Sequence, residues 1–554
     1  MHNLAVRNAS RNLMGRMLAG GIAALLLLWG LGNPYLWQDE AATAVLAQRM
    51  LRFGRPLAYD GVNLITIDHF AAENANSIDQ RTASAQAAVE YYIRRGDLKA
   101  DTSWKWQPWG QFVVAALSFK IFGATTIAAR LPFALAGIIT VLLLYRFVLT
   151  YFDNPQMAWL AAIFLALNAY WVLHCRQCRY YSLSSLLLVL TLASYARCQW
   201  GKSDRSLRNA ALFVVSAWIW FQVDYGTVWP VLGILFVDAV VAERRTPSRP
   251  VLVGLALAAA IAPFVYYYEL WDRFSAAAQP WRYRFLQNLF NLNEYVVPGV
   301  ILIAALALLV SRWKILSAVE RRLVAISCAV IVVLLFWVPA TAPIGFLRYV
   351  IMAAPLGCLL VAWVLVRMAG ARSGFYLWAG AAIFVLTPWL SLPLRAAARF
   401  HGVSIFRPEL RLLWSNVFGH RPDPNRSVID WLRQNAKPTD EILINYEDIP
   451  LMFYLPNPIR GGIAAFRVED DAKGPPDFLV LRRSVGFTHW PVFFREIERY
   501  SWEHVPLEIP DVPWGNSPDP TAQAFRTPLH MPLGGPTRWI YIARRVPRKS
   551  DPEP

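Results

Sequence analysis

Apolar runs of spanning length alternate with short polar turns over residues 1–394. A membrane-spanning helix needs about 20 mostly apolar residues. About eleven segments approach that length, and they lie near 14–32, 127–148, 157–174, 181–197, 209–223, 226–242, 251–268, 295–310, 323–338, 349–366 and 375–392. The pattern predicts an α-helical polytopic membrane domain over residues 1–394. The first run ends without a clear small-residue cleavage site, so we expect it to stay in place as the first helix.

Two stretches interrupt the apolar runs. The first, 33–126, is a large loop of mixed polarity, and its amphipathic part at 109–122 is predicted to lie along the membrane surface. The second, 395–554, is rich in proline and arginine. It holds one helical and two strand-like runs, at 427–434, 441–445 and 478–481. These runs predict a small C-terminal α/β domain.

Lysine and arginine collect in alternate loops, as the positive-inside rule requires. The basic loops lie near 197–208, 244–249, 312–322 and 367–372. With the N-terminus in the cytoplasm, the loop 33–126 and the C-terminal domain are expected on the periplasmic side of a bacterial inner membrane. Three arginines depart from this pattern at predicted outer helix ends, namely Arg176, Arg179 and Arg348.

Composition narrows the class of protein. Apolar residues make up 56% of the 554 residues and charged residues only 16%, which excludes an ordinary cytosolic enzyme and a disordered chain. A net charge of +17 would suggest nucleic acid for a soluble protein, but membrane orientation accounts for it here, so no nucleic-acid partner is expected. The five cysteines lie in or beside apolar runs, which argues against a disulfide framework.

The strongest local signal is a pair of carboxylates, Asp39 and Glu40, directly after the first predicted helix. Carboxylates near lipid are costly unless they are solvated or paired. One interpretation is that they mark the water boundary and begin a helix at 41–51. The other is that one of them is a general base, which takes a proton from an acceptor hydroxyl.

The three exceptional arginines suggest a fixed anionic partner. Arg176 and Arg179 are three residues apart, so on a helix they would share one face. Arginine binds phosphate through forked hydrogen bonds, and a lipid phosphate or diphosphate fits this pair. Arg348, at another outer helix start, is a second candidate phosphate contact. The alternative is that the paired arginines only extend from the membrane to the interface.

Other candidates carry weaker signals. Lys105 lies among tryptophans, a pattern typical of a sugar- or phosphate-contacting edge and equally of a membrane-interface belt. Asp224, at an outer turn, is a site candidate or a plain turn residue. The insert at 55–105, with Asp60, Asp68 and His69, is a candidate for shaping an acceptor site.

A histidine and two cysteines, His174, Cys175 and Cys178, suggest part of a metal site. Zinc usually takes four ligands, and no second pair follows at the right spacing. Buried small cysteines are therefore the favoured interpretation, and we predict no metal-ligating residue. The residues identify no cofactor, and a requirement for a divalent metal stays open.

Several of these segments resemble one enzyme family. The acidic pair Asp39–Glu40 resembles that of the C-type glycosyltransferases. Residues 107–123 (QPWGQFVVAALSFKIFG) and 129–137 (ARLPFALAG) resemble the first-loop helix and second spanning helix of the protein O-mannosyltransferases and the lipid A aminoarabinose transferases. Residues 176–183 (RQCRYYSL) and 348–355 (RYVIMAAP) resemble two further segments of this group.

The resemblance implies a transferase that uses a polyprenyl-phosphate-linked sugar. Asp39 would be the catalytic base and Glu40 a neighbouring site carboxylate. Arg176 and Arg179 would stand at the donor phosphate with Arg348. Tyr181 stands where some relatives carry an aspartate, and at 106–107 the chain has Trp-Gln where others carry Glu-Lys. The implied activity is that of an inverting hexosyl- or pentosyltransferase, whose acceptor is a lipid, a glycan or a protein.

Two other functions remain open at this stage. One is a transporter or flippase for a lipid-linked sugar, although transporters tend to show repeated halves and we find no internal repeat. The other is a non-catalytic subunit of a polysaccharide assembly system, with the C-terminal domain as the working part.

Overall fold

The fold is that of a helical membrane protein with a small C-terminal sheet, as predicted. The structure is a computed structural model. It describes residues 2–65, 102–201, 206–242, 248–270, 280–342, 345–370, 374–397, 405–419, 422–460, 476–482, 500–511, 514–515, 531–532 and 538–546. All statements about contacts below concern these residues.

The helices of the membrane part follow the predicted segments. They are α1 (His2–Leu28), α2 (Gln38–Phe53), α3 (Gly110–Phe122), α4 (Thr126–Phe152), α5 (Pro155–Ala166), α6 (Ala169–Cys175), α7 (Tyr181–Trp200), α8 (Ser206–Val223), α9 (Tyr225–Ala242), α10 (Ser248–Tyr267), α11 (Trp281–Asn291), α12 (Gly299–Ser311), α13 (Ala318–Thr341), α14 (Ala354–Ala369), α15 (Gly374–Leu386) and α16 (Leu392–Ala397). Every predicted apolar segment is therefore helical over most of its length. Among the described residues, 6 helices are long and apolar enough to cross a membrane, or up to 8 if each of two bent pairs is one span.

Two predicted spans are broken rather than straight. Helices α5 and α6 meet at an angle of 65°. Leu167 ends α5, and Asn168 caps α6 by accepting a 3.0 Å hydrogen bond from the Trp171 amide. The predicted segment 295–310 begins in a π-helical turn, Leu292–Val296. A 77° bend separates that turn and α11 from α12, where Pro298 has no amide hydrogen to continue the ladder.

Close helix approach fixes the bundle around α4 and α14. Helix α4 packs against α1, α5 and α7. A side chain at Gly137 would begin 2.9 Å from Leu27 and 3.2 Å from Cys175, so α1 and α6 can both lie directly on α4. In α14, any side chain at position 357 would overlap the Val296 carbonyl oxygen, so Gly357 allows the π-helical turn to lie against that helix.

The C-terminal part begins with α17 (Pro408–Val417) and α18 (Pro424–Asn435). Beyond them lie β1 (Ile442–Ile444), α19 (Asp448–Tyr454), β2 (Ile459–Arg460), β3 (Phe478–Leu481), β4 (Ser501–His504), β5 (Pro510–Asp511), β6 (Trp514–Gly515), β7 (Met531–Pro532), β8 (Arg538–Trp539) and β9 (Tyr541–Val546). The main sheet has the order β2-β1-β3-β9-β4. Strand β1 is parallel to β2 and β3, and β9 is antiparallel to β3 and β4. The predicted strands at 441–445 and 478–481 are the central pair of this sheet.

The C-terminal part packs directly on the residues that precede Asp39. The ring of Tyr35 stacks on that of Tyr454 at 4.2 Å, and its amide donates a 2.8 Å hydrogen bond to Asp423 Oδ2. Gln38 Nε2 donates a 2.6 Å hydrogen bond to Asp448 Oδ1. The start of α2 is therefore held from the C-terminal side of the chain as well as from the membrane helices.

Asp448 makes stability at this contact pH-dependent. Burial is the main cause that raises the pKa of its carboxyl from 3.8 to about 6. The folded protein therefore holds a proton that the unfolded chain releases, and stability falls as pH rises from about 4 through 6. We expect Asp448→Asn to raise the melting temperature at pH 7.5, leave it nearly unchanged at pH 4 and flatten the pH dependence. Thermal unfolding in detergent at both pH values measures this, and an equal effect at both would contradict it.

Candidate active site

Asp39 lies in the first turn of α2, where the extended Trp37 precedes the helix. The free amide groups of a helix N-terminus favour a negative charge at this position. The Asp39 side chain is 26% exposed, whereas the next residue, Glu40, is 1% exposed. The two predicted carboxylates therefore face different surroundings, one at an accessible surface and the other in the core.

Asp39 is joined by two of the three predicted arginines. Arg348 Nη1 donates to Asp39 Oδ2 at 2.6 Å, and Arg179 Nη2 lies 3.7 Å from the same oxygen. Arg179 Nη1 also donates to the Asp39 carbonyl at 3.1 Å and to Thr43 Oγ1 at 3.2 Å. Residues separated by up to 309 positions thus converge on one partly exposed carboxylate.

Aromatic rings hold both guanidiniums. Arg348, in the 3-10 turn Leu347–Tyr349, lies 4.0 Å from the Phe346 ring centroid and 5.6 Å from that of Tyr349. Arg179 lies 5.8 Å from the Tyr180 centroid. Cation–π attraction holds a guanidinium beside an aromatic ring without using its N–H groups as hydrogen-bond donors.

Tyr181 forms the buried wall behind this cluster. It begins α7, is 2% exposed and packs its ring against that of Tyr180 at 4.7 Å. Its ring meets His174 edge-on at 5.0 Å. Tyr181 therefore supports the cluster from the buried side, through the Tyr180 ring over which Arg179 lies.

Glu40 is fully engaged in a different interaction. Its two oxygens accept from Nε and Nη2 of Arg130 at 2.8 and 2.6 Å, and its Oε1 also accepts from the Cys178 amide at 2.8 Å. Arg130 Nη1 donates to the Leu31 and Pro34 carbonyls. This bidentate pair ties α2 to α4 and to the segment before α7. Sequence reasoning missed Arg130, although a charge near the start of an apolar helix is itself a signal.

Arg176 lies apart from the contacts of Asp39. It is 8% exposed, and it donates to the Leu26 and Trp29 carbonyls at 2.8 and 2.7 Å, so it satisfies the end of α1. The expected pairing with Arg179 assumed a helix through both residues. Helix α6 instead ends at Cys175 and α7 begins at Tyr181, and the intervening turns direct the two arginines to different partners.

Asp224 caps the helix that follows it. Its Oδ1 accepts from the Gly226 amide at 3.1 Å, and its Oδ2 accepts from Thr227 Oγ1 at 2.6 Å and Ser184 Oγ at 3.1 Å. These bonds begin α9 and join it to α7. These are the contacts of a turn residue that caps a helix, which is one of the two interpretations of Asp224 given by the sequence. Asp224 is 8% exposed.

Lys105 belongs to an aromatic cluster beside the site. Its Nζ lies 4.6 Å over the Tyr267 ring, and the Tyr225 hydroxyl donates to the Trp106 carbonyl at 2.9 Å. A relay of side chains links this loop to the Asp39 site: Gln111 bonds Gln107 at 3.1 Å, Thr43 bonds Gln111 at 3.5 Å, and Arg179 bonds Thr43. A chain of hydrogen bonds therefore connects this loop to Arg179.

No residue cluster suited to a metal occurs in the part of the chain that the structure describes, where no group of three His, Cys, Asp or Glu side chains converges. His174, Cys175 and Cys178 are buried. Asp60 pairs with Arg49 at 2.8 Å. The other two acidic or histidine candidates of the insert, Asp68 and His69, lie outside the described residues.

Comparison with known proteins gives a local sequence match and a full-length structural match. Residues 107–267 match the family model "Dolichyl-phosphate-mannose-protein mannosyltransferase". This segment contains Arg179 and Asp224 but neither Asp39 nor Arg348. A search of curated protein sequences finds no significant match.

Solved structures of two membrane proteins share the fold. ArnT from Cupriavidus metallidurans bound to undecaprenyl phosphate superimposes with a TM-score of 0.58 at 13% identity, over 97% of this chain and 99% of ArnT. The archaeal oligosaccharyltransferase AglB from Archaeoglobus fulgidus, in complex with an inhibitory peptide and a dolichol-phosphate, gives a TM-score of 0.53 at 10% identity, over 89% of this chain and 73% of AglB. The chain therefore has the fold of ArnT and AglB, and the resemblance to the C-type glycosyltransferase group that its sequence predicts is confirmed.

Proposed function

We propose that the chain is an integral-membrane inverting glycosyltransferase, which moves a sugar from a polyprenyl-phosphate donor to an acceptor hydroxyl. The observation that carries the proposal is the contact of Asp39 with Arg348 and Arg179. The Asp39 carboxylate can act as a base, and the two guanidiniums in contact with it can bind an anion. ArnT was solved with undecaprenyl phosphate and AglB with a dolichol-phosphate, which supports a donor of this class.

In the proposed reaction Asp39 accepts the proton of the acceptor hydroxyl, and the oxygen attacks the anomeric carbon of the donor sugar. The bond from that carbon to the phosphate oxygen breaks, and its electron pair leaves with the polyprenyl phosphate. One displacement inverts the anomeric configuration. Arg348 and Arg179 stabilise the charge that grows on the leaving phosphate.

Arg348 has a double role in this scheme. It pairs with Asp39 at 2.6 Å. Its stacking on Phe346 keeps it in place when the donor phosphate takes part of that interaction. The guanidinium then lies between the base and the leaving group, so it favours the ionised carboxylate before reaction and the phosphate dianion after it.

The orientation with this site on the periplasmic side rests on the distribution of charge. Arg312 and Arg367 lie at the opposite end of the bundle from Asp39, and Arg312 Nη1 donates to the Arg367 carbonyl at 3.0 Å. Arg322 pairs there with Asp238 at 2.6 Å. Loops rich in lysine and arginine, such as 312–322, are what the positive-inside rule gives for a cytoplasmic face.

A labelled donor tests the activity. Membranes that contain the full chain are incubated with polyprenyl-phosphate-linked sugars labelled in the sugar, and the release of polyprenyl phosphate is measured. If the chain transfers the sugar, polyprenyl phosphate is released as label appears in an acceptor fraction, and Asp39→Asn strongly slows both. A transporter would move label across sealed vesicles and leave the sugar–phosphate bond intact, which would overturn the proposal.

Arg179 and Arg176 form a matched pair for testing phosphate binding. We expect Arg179→Gln to weaken binding of undecaprenyl phosphate about tenfold, since one charge-assisted contact is lost. Arg176→Gln leaves the affinity nearly unchanged and lowers the melting temperature, because the Leu26 and Trp29 carbonyls lose their donor. Lipid titration followed by thermal unfolding measures both. The reverse order of affinities would contradict this assignment.

A further inference from the structure

A pocket lies beside the two broken spans, away from Asp39. Asn168 and Tyr170 line it from the α5–α6 break, Glu294 and Tyr295 from the π-helical turn, and Arg407 and Glu409 from the start of α17. Its empty volume is about 490 Å³, including its open mouth. None of the residues that contact Asp39 belongs to this lining.

Glu409 is the unusual group in this pocket. It is 7% exposed, and among the described residues no hydrogen-bond partner reaches its Oε2. Its place in the first turn of α17 favours a negative charge, but the helix supplies no donor to that oxygen. A buried carboxylate oxygen without a donor costs free energy, so a ligand that brings N–H groups would stabilise the site.

The other lining groups define the charge of that ligand. Glu294 and Glu409 outnumber the single cation, Arg407, so the lining carries one net negative charge. The rings of Tyr170 and Tyr295 meet edge-on at 4.3 Å, and aromatic walls favour a cation. Arg407 Nε donates to the Phe384 carbonyl at 3.0 Å, which holds this guanidinium at one side of the pocket. A ligand with an ammonium near Glu409 and an anionic group near Arg407 would pair with both charged side chains.

The surroundings of the pocket are those of a membrane interface. Large apolar side chains are exposed around it: Leu386 is 45% exposed, Trp389 47%, Phe406 66% and Trp414 68%. Tryptophan is typical of the headgroup level of a bilayer, and the exposed leucine and phenylalanine provide an apolar surface next to it. A zwitterionic headgroup can therefore enter from the lipid while its acyl chains remain against the exposed apolar surface.

We propose that this pocket binds the headgroup of an ethanolamine phospholipid. The primary ammonium donates to Glu409 Oε2, and the phosphate lies toward Arg407. A choline headgroup has the same charges but no N–H to donate, and a glycerol headgroup has no cation. The described residues also lack a third carboxylate or histidine that would hold a divalent metal here.

The test compares headgroups on the full chain in detergent. Phosphatidylethanolamine, phosphatidylcholine and phosphatidylglycerol with identical acyl chains are titrated, and affinity is measured by native mass spectrometry and by the shift in melting temperature. We expect the ethanolamine lipid to bind about tenfold more tightly than the other two, as one charge-assisted hydrogen bond requires. If the unaltered protein bound the three lipids equally, this result alone would overturn the proposal.

Two variants and a soluble amine complete the design. Glu409→Gln removes the ethanolamine preference, whereas Glu503→Gln, on an exposed residue of β4, retains it. Retention of the preference in a folded Glu409→Gln protein would overturn the assignment. Glucosamine supplies an ammonium without a lipid. Stabilisation by glucosamine equal to that by the ethanolamine lipid would show that an amino sugar is the source, and it would overturn the choice of a phospholipid.

Discussion

Asp39→Asn is expected to lower the rate of sugar transfer about a thousandfold, because a positioned general base contributes of this order and an amide cannot accept the proton. The substitution keeps the size of the side chain and an oxygen for Arg348, which donates to Asp39 Oδ2 at 2.6 Å. Donor binding is therefore expected to survive. The measurement is single-turnover transfer in detergent with the enzyme in excess over the donor.

A matched control separates chemistry from folding. Glu503→Gln changes an exposed carboxylate of β4, and it should leave the rate near that of the unaltered protein. Melting temperatures of both variants are measured beside the rates. Transfer by Asp39→Asn within a few-fold of the unaltered rate would refute the general-base role.

Arg348→Gln is expected to cause the second largest loss, about a hundredfold in kcat/KM, since it removes a charged donor from the leaving phosphate. The loss should fall more on kcat than on KM, because the phosphate gains charge in the transition state. Arg348→Lys should recover only part of the activity, as an ammonium lacks the planar fork that stacks on Phe346. Steady-state kinetics with varied donor measures the three proteins.

Arg433→Gln is the matched control for that series. Arg433 pairs with Asp430 at the surface and its side chain is 49% exposed, so its loss removes the same charge without touching the site. Full activity in Arg348→Gln with reduced activity in Arg433→Gln would contradict the assignment of Arg348. Equal losses in both would indicate a general effect of net charge.

The helical fold could be predicted from the sequence because its signal is local. The length and boundaries of each apolar run predict one helix, and the alternation of basic loops independently predicts the order in which the helices cross the membrane. The breaks in two spans were missed, since Asn168 and Pro298 each lie inside an apolar run whose average hydropathy hides a single residue at a helix boundary. The two central strands were also local signals, as continuous apolar runs bounded by polar residues.

The site could be predicted only in part because its contacts are long-range. Asp39, Arg179 and Arg348 were singled out as charges in unexpected places, and the structure brings those three together. Arg176 carried the same signal, yet a turn that periodicity does not reveal directs it to the end of α1.

The partner of Glu40 could not be deduced from spacing. The two residues of the Arg130 pair lie 90 positions apart. The same holds for Gln38 and Asp448, which are 410 positions apart. Contacts between residues so far apart in sequence have no local sequence pattern. The role of the C-terminal part in holding the start of α2 is therefore visible only in the folded structure.

The most direct test of the central claim is an electron cryo-microscopy structure of the full chain with undecaprenyl phosphate. We expect density for the phosphate within hydrogen-bond distance, about 3 Å, of both Arg348 and Arg179, with the Asp39 carboxylate beside it. Phosphate density at a site remote from these three residues, with Asp39 and Arg348 still paired, would contradict the account.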